Sequence, residues 1–334
     1  MVDQFNSDFR SSAPVVVGVD VGGTKIAAAL VDAQGSLSGR VRCPTDVDNS
    51  EATLDSIARA VGQAIAEGGF SPREIHAVGL GIPGLVDPIG GIGIASVNLN
   101  WRGVPVKAGL EARLGLPCLL ENDVKAAALG EARFGAGKGL DNLIYLNIGT
   151  GIAAAVILEN KIYRGSNGMA GEIGHMMIDP NGPLCKCGGR GCFEALASGP
   201  ALVARVGQKI QAGRTSILTQ DPSLEYPAFT SEDVFRAVAL ADELAVESVK
   251  EVAEYIAFVI QILALAFDPQ GIVLGGGVAF AGKAILDPVI HSLERLAAQN
   301  WVFRELFKPD FVQVTKLGSD IGVLGAAALV APLR

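Results

Sequence analysis

Apolar positions along this chain fall either into short runs that end on glycine or into longer stretches spaced by three and four. Val15 to Asp20 is a β-branched run closed by Gly22-Gly23, and apolar residues resume from Lys25 to Asp32, a pattern that predicts a β-hairpin. Between Glu51 and Glu67 the apolar positions are Leu54, Ile57, Ala58, Val61 and Ile65, the spacing of a helix with one buried face, and Gly68-Gly69 ends it. Ala77 to Gly81 predicts a strand and Ile82-Pro83-Gly84 a break. Leu119 to Asn122 predicts a further strand running into a helix from Val124 to Phe134, with Asp123 at the junction. Leu143 to Leu158 repeats the opening pattern: a strand, a turn at Asn147-Ile148-Gly149-Thr150-Gly151, and a second strand. Ser198 to Asp221 is helix-like and then polar, and Ser231 to Phe267 is one or two long helices. Gly271 to Val278 is a strand running into Gly275-Gly276-Gly277, and Ile321 to Val330 is a small-residue helix. Strands alternating with helices in two similar halves predict an α/β fold with a cleft between domains, where small molecules usually bind.

Composition narrows the reading. Of 334 residues 49% are hydrophobic, and a mean hydropathy of +0.38 raises the question of a membrane. The charge-free stretch from Tyr255 to Phe267 is too short, since crossing a bilayer takes about 20 apolar residues; it reads as a buried helix. The opening MVDQFNSDFRSSAP has no apolar core and two acids, so neither a signal nor a transit peptide is expected. A net charge of −8 argues against a broad phosphate-backbone-binding surface and hence against nucleic acid as a partner. Three of the five cysteines lie between positions 185 and 192, which suggests a metal in a reducing cytoplasm rather than a disulfide framework.

Three glycine-rich turns follow strands, at Gly22-Gly23, Gly149-Thr150-Gly151 and Gly275-Gly276-Gly277. Successive backbone N–H groups in such turns form concave anion sites, and Thr24 and Thr150 add hydroxyl donors. None matches the G-x-x-x-x-G-K-[ST] loop, and no G-x-G-x-x-G opens a helix with a following ribose-binding acid, so P-loop and dinucleotide-binding readings fall away. A second constellation is Glu172-Ile-Gly-His175 followed by Cys185-Lys-Cys187-Gly-Gly-Arg-Gly-Cys192. One imidazole and three thiolates complete a tetrahedral zinc with no open position, which makes the metal structural. The third is Glu121-Asn122-Asp123 at a strand-to-helix junction, where an isolated Asp would be read first as a helix cap.

In this order and separation, Asp20-x-Gly-Gly-Thr-Lys25, Asn147-Ile-Gly-Thr-Gly151 and Leu274-Gly-Gly-Gly-Val278 resemble the phosphate and adenosine loops of the actin-like sugar kinases of the ROK family, over nearly the whole chain. The resemblance implies two actin-like (ribonuclease H-like) lobes with a cleft between them. A small α/β lobe would span 1–122, completed by the C-terminal helix at about 318–334, and a large lobe with the zinc loop would span 123–317. It further implies that Asp20, Gly22, Gly23, Thr24, Lys25, Gly149, Thr150 and Gly151 hold the phosphates of ATP, with Asp20 near magnesium, and that Gly275, Gly276 and Gly277 pack on adenosine. Gly84, Asn98, Asn122, Asp123, Glu172, His175 and Glu194 would bind a hexose, with Asp123 the catalytic base. His175, Cys185, Cys187 and Cys192 would hold zinc, His175 offering its other ring nitrogen to a sugar hydroxyl.

Within the family the chain is most similar to bacterial ATP-dependent glucokinases, which implies glucose and ATP as partners and glucose 6-phosphate as product. N-acetylglucosamine, N-acetylmannosamine or fructose would be the alternative substrates. The zinc cluster argues against the polyphosphate-using branch. From another class, the family's sugar-sensing transcriptional regulators carry a helix-turn-helix module ahead of the kinase-like region, and the residues before Val15 are too few for one. A cytoplasmic homodimer, or a tetramer, is the family expectation.

Overall fold

The computed structural model describes residues 15–219 and 229–330. The ends of the chain, and the Asp221 end of the helix-like segment, lie outside the described residues. The chain divides into two compact units. The first comprises the chain through Gly139, Glu159–Ala170 and the segment from Leu317; the second comprises Leu140–Leu158 and Gly171–Lys316.

The first unit opens with β1 (Val15–Val21) and β2 (Lys25–Val31), the expected hairpin, followed by β3 (Leu37–Pro44) and α1 (Ser50–Glu67). Then come β4 (Ile75–Ile82), β5 (Leu85–Asp87), β6 (Ile92–Ser96), β7 (Trp101–Val104), α2 (Val106–Leu114), β8 (Cys118–Asn122) and α3 (Asp123–Phe134). The main sheet runs β3-β2-β1-β4-β8. Its hairpins are antiparallel, while β1, β4 and β8 lie parallel, so that Asp20 faces Gly81 and Ile82 faces Asn122 in register. On one face Leu54, Ile57, Val61 and Ile65 of α1, the predicted apolar stripe, pack on Val17, Val19, Leu30 and Leu80. Ala58, placed on that stripe by the pattern, lies at its partly buried edge.

β9 (Leu143–Ile148) and β10 (Ile152–Leu158) begin the second unit. Between them and α4 (Phe193–Ala197) falls β11 (Lys161–Tyr163), which belongs to the Glu159–Ala170 segment of the first unit. The second unit continues through α5 (Gly199–Gln211), α6 (Ser231–Ala239), α7 (Glu243–Phe267), β12 (Gly271–Gly275), α8 (Lys283–Gln299), α9 (Trp301–Leu306) and β13 (Val312–Val314). Its strand order β10-β9-β12-β13 repeats the plan β2-β1-β4-β8: an antiparallel hairpin whose first strand is extended by parallel neighbours. Ile256, Ile260 and Leu263 of α7 and Val289 and Leu293 of α8 share a core with Ile144, Leu146 and Ile148.

The final helix, α10 (Ile321–Ala328), lies on the other face of the first sheet, with Val323, Leu324 and Ala327 against Val16, Ala29 and Val31. Helix and sheet approach so closely that a Cβ at Gly79 would stand 1.9 Å from the Ala326 carbonyl oxygen.

The stretch from Ser231 to Phe267, read as one or two helices, forms two, broken where Ala241 takes φ +58° and Asp242 caps α7 by accepting from the Ala245 amide. Elsewhere the structure differs from the sequence reading. The region after Ile82-Pro83-Gly84, read only as a break, holds the β5-β6-β7 sheet and α2. The sequence boundary at 122/123 falls inside the first unit, because α3 packs against α10; a Cβ at Gly130 would meet the Gly325 amide at 2.9 Å. Residues 159–170 likewise belong with the first unit. The Tyr255–Phe267 stretch buries Ile256, Val259, Ile260 and Leu263 but exposes Phe258 and Leu265. No helix among the described residues is long and apolar enough to cross a membrane.

Candidate active site

In the first unit the predicted phosphate loop is the β1–β2 turn. The Gly22 amide donates to the Lys25 carbonyl at 2.9 Å, a closed turn that leaves Thr24 and Lys25 exposed. Thr45, just past β3, clamps the turn from behind: its hydroxyl donates to the Gly22 carbonyl at 2.6 Å and its amide to the Thr24 carbonyl at 3.1 Å. Burial pushes the Asp20 carboxyl above the usual carboxylate range, and Lys25 and Arg42 pull it back toward the charged form. α10 meets it directly, since a Cβ at Gly322 would lie 2.4 Å from that carboxylate. Asn98 belongs to the same neighbourhood: its backbone oxygen would be 2.7 Å from a Cβ at Gly23.

Asn122 and Asp123 stand where β8 becomes α3. The Asn122 side-chain oxygen caps the helix, accepting from the Val124 and Lys125 amides at 3.1 Å each. Asn122, and not Asp123, is therefore the cap residue. Its side-chain nitrogen donates to the Gly84 carbonyl and to Asp123 Oδ1, both at 3.0 Å. Gly84, Asn122 and Asp123 thus form one hydrogen-bonded group at the C-terminal end of parallel strands, the end where ligands bind in open α/β sheets.

In the second unit the β9–β10 turn is closed by the Gly149 amide on the Gly151 carbonyl at 2.9 Å, and the Gly199 amide at the head of α5 donates to the Gly149 carbonyl at 2.9 Å. The loop after β12 packs onto it. Val278 donates to the Ile148 carbonyl at 2.9 Å, and Gly276, at φ +83°, leaves no room for a side chain, because its Cβ would stand 2.5 Å from that same oxygen. Two of the three predicted glycine-rich loops therefore adjoin one another. Glu194 ties the sugar motif to them by accepting from the Ile152 amide at 3.0 Å.

The segment from Gly171 to His175 runs against β10, where the Ala154 amide donates to the Gly171 carbonyl at 2.8 Å. A short 3-10 turn over Ile173–His175 aims Glu172 and His175 outward, both exposed. The ligand atoms of His175, Cys185, Cys187 and Cys192 all lie within 4.8 Å of one another. His175 Nδ1 faces Cys185 Sγ at 3.9 Å, and Cys187 and Cys192 Sγ are 3.7 Å apart. That spacing is far from the ~2.05 Å of a disulfide and close to the edge of roughly 3.8 Å that a tetrahedron with ~2.3 Å Zn–S bonds requires. The residues fit zinc. With Nδ1 turned toward the sulfurs, Nε2 is the nitrogen left to meet a ligand. The Gly189 amide, helped by the neighbouring thiols, lowers Cys187 to about 7, while burial first of all pushes Cys192 to about 12.

The predicted site residues thus lie in loops, at strand ends or on the first turns of short helices, Asp123 opening α3 and Glu194 lying in α4. Thr45, Gly199 and Gly322 went unpredicted: Thr45 acts through its hydroxyl and amide, Gly199 through its amide and Gly322 by being small, and none belongs to a chemical motif.

Residues 16–332 match the model of the ROK family. The chain is 38% identical over 318 residues to a glucokinase of Streptomyces coelicolor, covering 94% of this chain and 97% of that one. It is 30% identical to the xylose repressor of Bacillus subtilis, covering 96% of this chain and 78% of the repressor. Among solved structures it is similar to a ROK family glucokinase from Streptomyces griseus in complex with glucose and AMPPNP, with a TM-score of 0.79 and 36% identity over 94% of this chain and 98% of that one.

Proposed function

Because this chain belongs to the ROK family and shares its actin-like, ribonuclease H-like α/β fold, we propose that it is an ATP-dependent hexokinase-type phosphotransferase whose hexose is glucose. The observation that carries this reading is near full-length similarity to a glucokinase at 38% identity, together with the geometry just described. Both hairpin turns present closed glycine loops, and the Asn122–Asp123 pair is held at a strand end.

In the first unit, Asp20, Gly22, Gly23, Thr24 and Lys25 are assigned to ATP phosphate and magnesium; in the second, Gly149, Thr150 and Gly151 to phosphate and Gly275, Gly276 and Gly277 to adenosine. ATP supplies the γ-phosphoryl and magnesium neutralises its charge. Asp123 accepts the proton of the attacking sugar hydroxyl, a role consistent with an oxygen already oriented by the Asn122 side chain. Gly84, Asn98, Asn122, Glu172, His175 and Glu194 are assigned to the sugar. His175, Cys185, Cys187 and Cys192 would hold zinc, which would fix that segment and leave His175 Nε2 as the nitrogen that donates to a hydroxyl. Exposed Phe258 and Leu265 on α7 support a homodimer, which light scattering tests.

The test is a coupled ADP-release assay with ATP and magnesium against glucose, N-acetylglucosamine, N-acetylmannosamine, mannose and fructose. Glucose-dependent turnover is expected. Turnover on another sugar alone would overturn glucose, and silence on every sugar in zinc-replete protein would favour a sugar-sensing role, the reading that similarity to the xylose repressor supports.

A further inference from the structure

The Asn122–Asp123 pair is flanked by two charged residues that nothing above uses, and both reach the same segment of chain. Glu121, one residue before, is buried, with its side chain 2% exposed, and its Oε2 receives Nη2 of Arg164 at 2.6 Å and Nε at 2.8 Å. Its other oxygen accepts from the Asn122 backbone amide at 3.0 Å. Lys125, two residues after Asp123 and 4% exposed, donates from Nζ to the Gly168 carbonyl at 3.0 Å. Arg164 and Gly168 belong to one closed loop, in which the Ala170 amide returns to the Arg164 carbonyl at 3.1 Å. All of these residues lie in the first unit.

We propose that Glu121, Arg164 and Lys125 are positioning residues for the proposed base: the 164–170 loop grips the chain on both sides of Asn122–Asp123 and holds Asp123 in its reactive orientation. The inference rests on the assignment of Asp123 as base. A continuous path runs from the Arg164 guanidinium to the Glu121 carboxylate, to the Asn122 amide, and through the Asn122 side chain to Asp123 Oδ1. Without Arg164 the buried Glu121 carboxylate loses this ion-pair partner and turns toward water, releasing the Asn122 amide. The pair is enclosed only at Glu121, the Arg164 side chain being 45% exposed; such a pair is weak evidence for stability, but its two guanidinium contacts to one carboxylate oxygen fix orientation. A base displaced by a fraction of an ångström loses alignment with the hydroxyl it serves.

The experiment measures kcat and KM for glucose and ATP in Arg164→Gln, Arg164→Lys, Lys125→Met and Asp123→Asn, and in the Arg164→Gln/Asp123→Asn double variant of the full chain, with zinc content and unfolding midpoints alongside. Arg164→Gln should lower kcat by roughly ten- to hundredfold with little change in the KM for ATP. Arg164→Lys, which keeps the charge, should lose less than Arg164→Gln. In the Asp123→Asn background Arg164→Gln should produce no further loss, because it acts through the base. Wild-type kcat in Arg164→Gln and Lys125→Met beside an inactive Asp123→Asn, or full additivity in the double variant, would overturn positioning and leave the base assignment standing. Undiminished turnover in Asp123→Asn alone would instead refute the base. Should Arg164→Gln fail to fold, Arg164→Lys and Lys125→Met carry the same comparison.

Discussion

Replacing Gly276 with alanine tests the packing of the two glycine loops in the second unit. At φ +83° an alanine pays a left-handed backbone penalty of about 1–2 kcal/mol. Its Cβ would stand 2.5 Å from the Ile148 carbonyl oxygen, so that oxygen must move by something on the order of 1 Å to reach ordinary contact. The Val278 amide bonded to it at 2.9 Å then loses its partner, a further ~1 kcal/mol. Destabilisation should total roughly 2–3 kcal/mol, and the shift displaces both loops assigned to ATP. Gly277→Ala is the internal control for stability alone, because a Cβ there meets nothing within 4 Å and its φ lies outside the left-handed region. Urea unfolding followed by circular dichroism, with and without a non-hydrolysable ATP analogue, reads the stability; steady-state kinetics read the site. The KM for ATP should rise roughly tenfold in Gly276→Ala, in line with a lost pair of kilocalories partly felt at the site, while the KM for glucose moves less. An unchanged unfolding midpoint and ATP KM in Gly276→Ala, or an equal loss of stability in Gly277→Ala, would refute the reasoning.

Asp123→Asn should lower kcat by roughly 10²–10⁴-fold while leaving glucose binding within a fewfold of wild type; isothermal titration with glucose separates the two. Cys192→Ser, or prolonged chelation, should remove one zinc per chain by elemental analysis and raise the KM for glucose by about ten- to hundredfold with little effect on ATP. On the acid side, Lys209 first and Arg214 next hold Glu247 down from its ordinary 4.5 to about 2. A depressed folded pKa contributes stability above 4.5 that is lost as pH falls toward 2. Glu247→Gln should therefore flatten the fall in urea midpoint between pH 5 and pH 2.5, and an unchanged slope would refute the pairing.

Local chemistry was legible from the sequence wherever it lay within a few residues. The β1–β2 and β9–β10 hairpins, the stripe of α1, the strand entering α3 and the His175–Cys192 metal set are all contiguous patterns, and the structure brings the four ligand atoms together. Asn122 as cap in place of Asp123 was within reach as well, since a cap residue accepts from amides two and three positions on. The β5-β6-β7 sheet was not, because its strands are short and partly exposed and lack a two-residue periodicity. Pro288 within α8 similarly interrupts the pattern a helix would otherwise show.

The sequence by itself determined which segments turn tightly, which four side chains form the His175–Cys192 cluster, and that the plan occurs twice, because turn propensity, ligand chemistry and periodicity act over a few neighbouring residues. Only the tertiary structure decided that α3 packs on α10 and so stays in the first unit, that Thr45 and Gly199 clamp the loops, and that Arg164 reaches Glu121. Those contacts join residues tens to hundreds of positions apart. They form because folding must bury apolar faces and satisfy buried charges at once, a condition set by the packed whole rather than by any local stretch of chain.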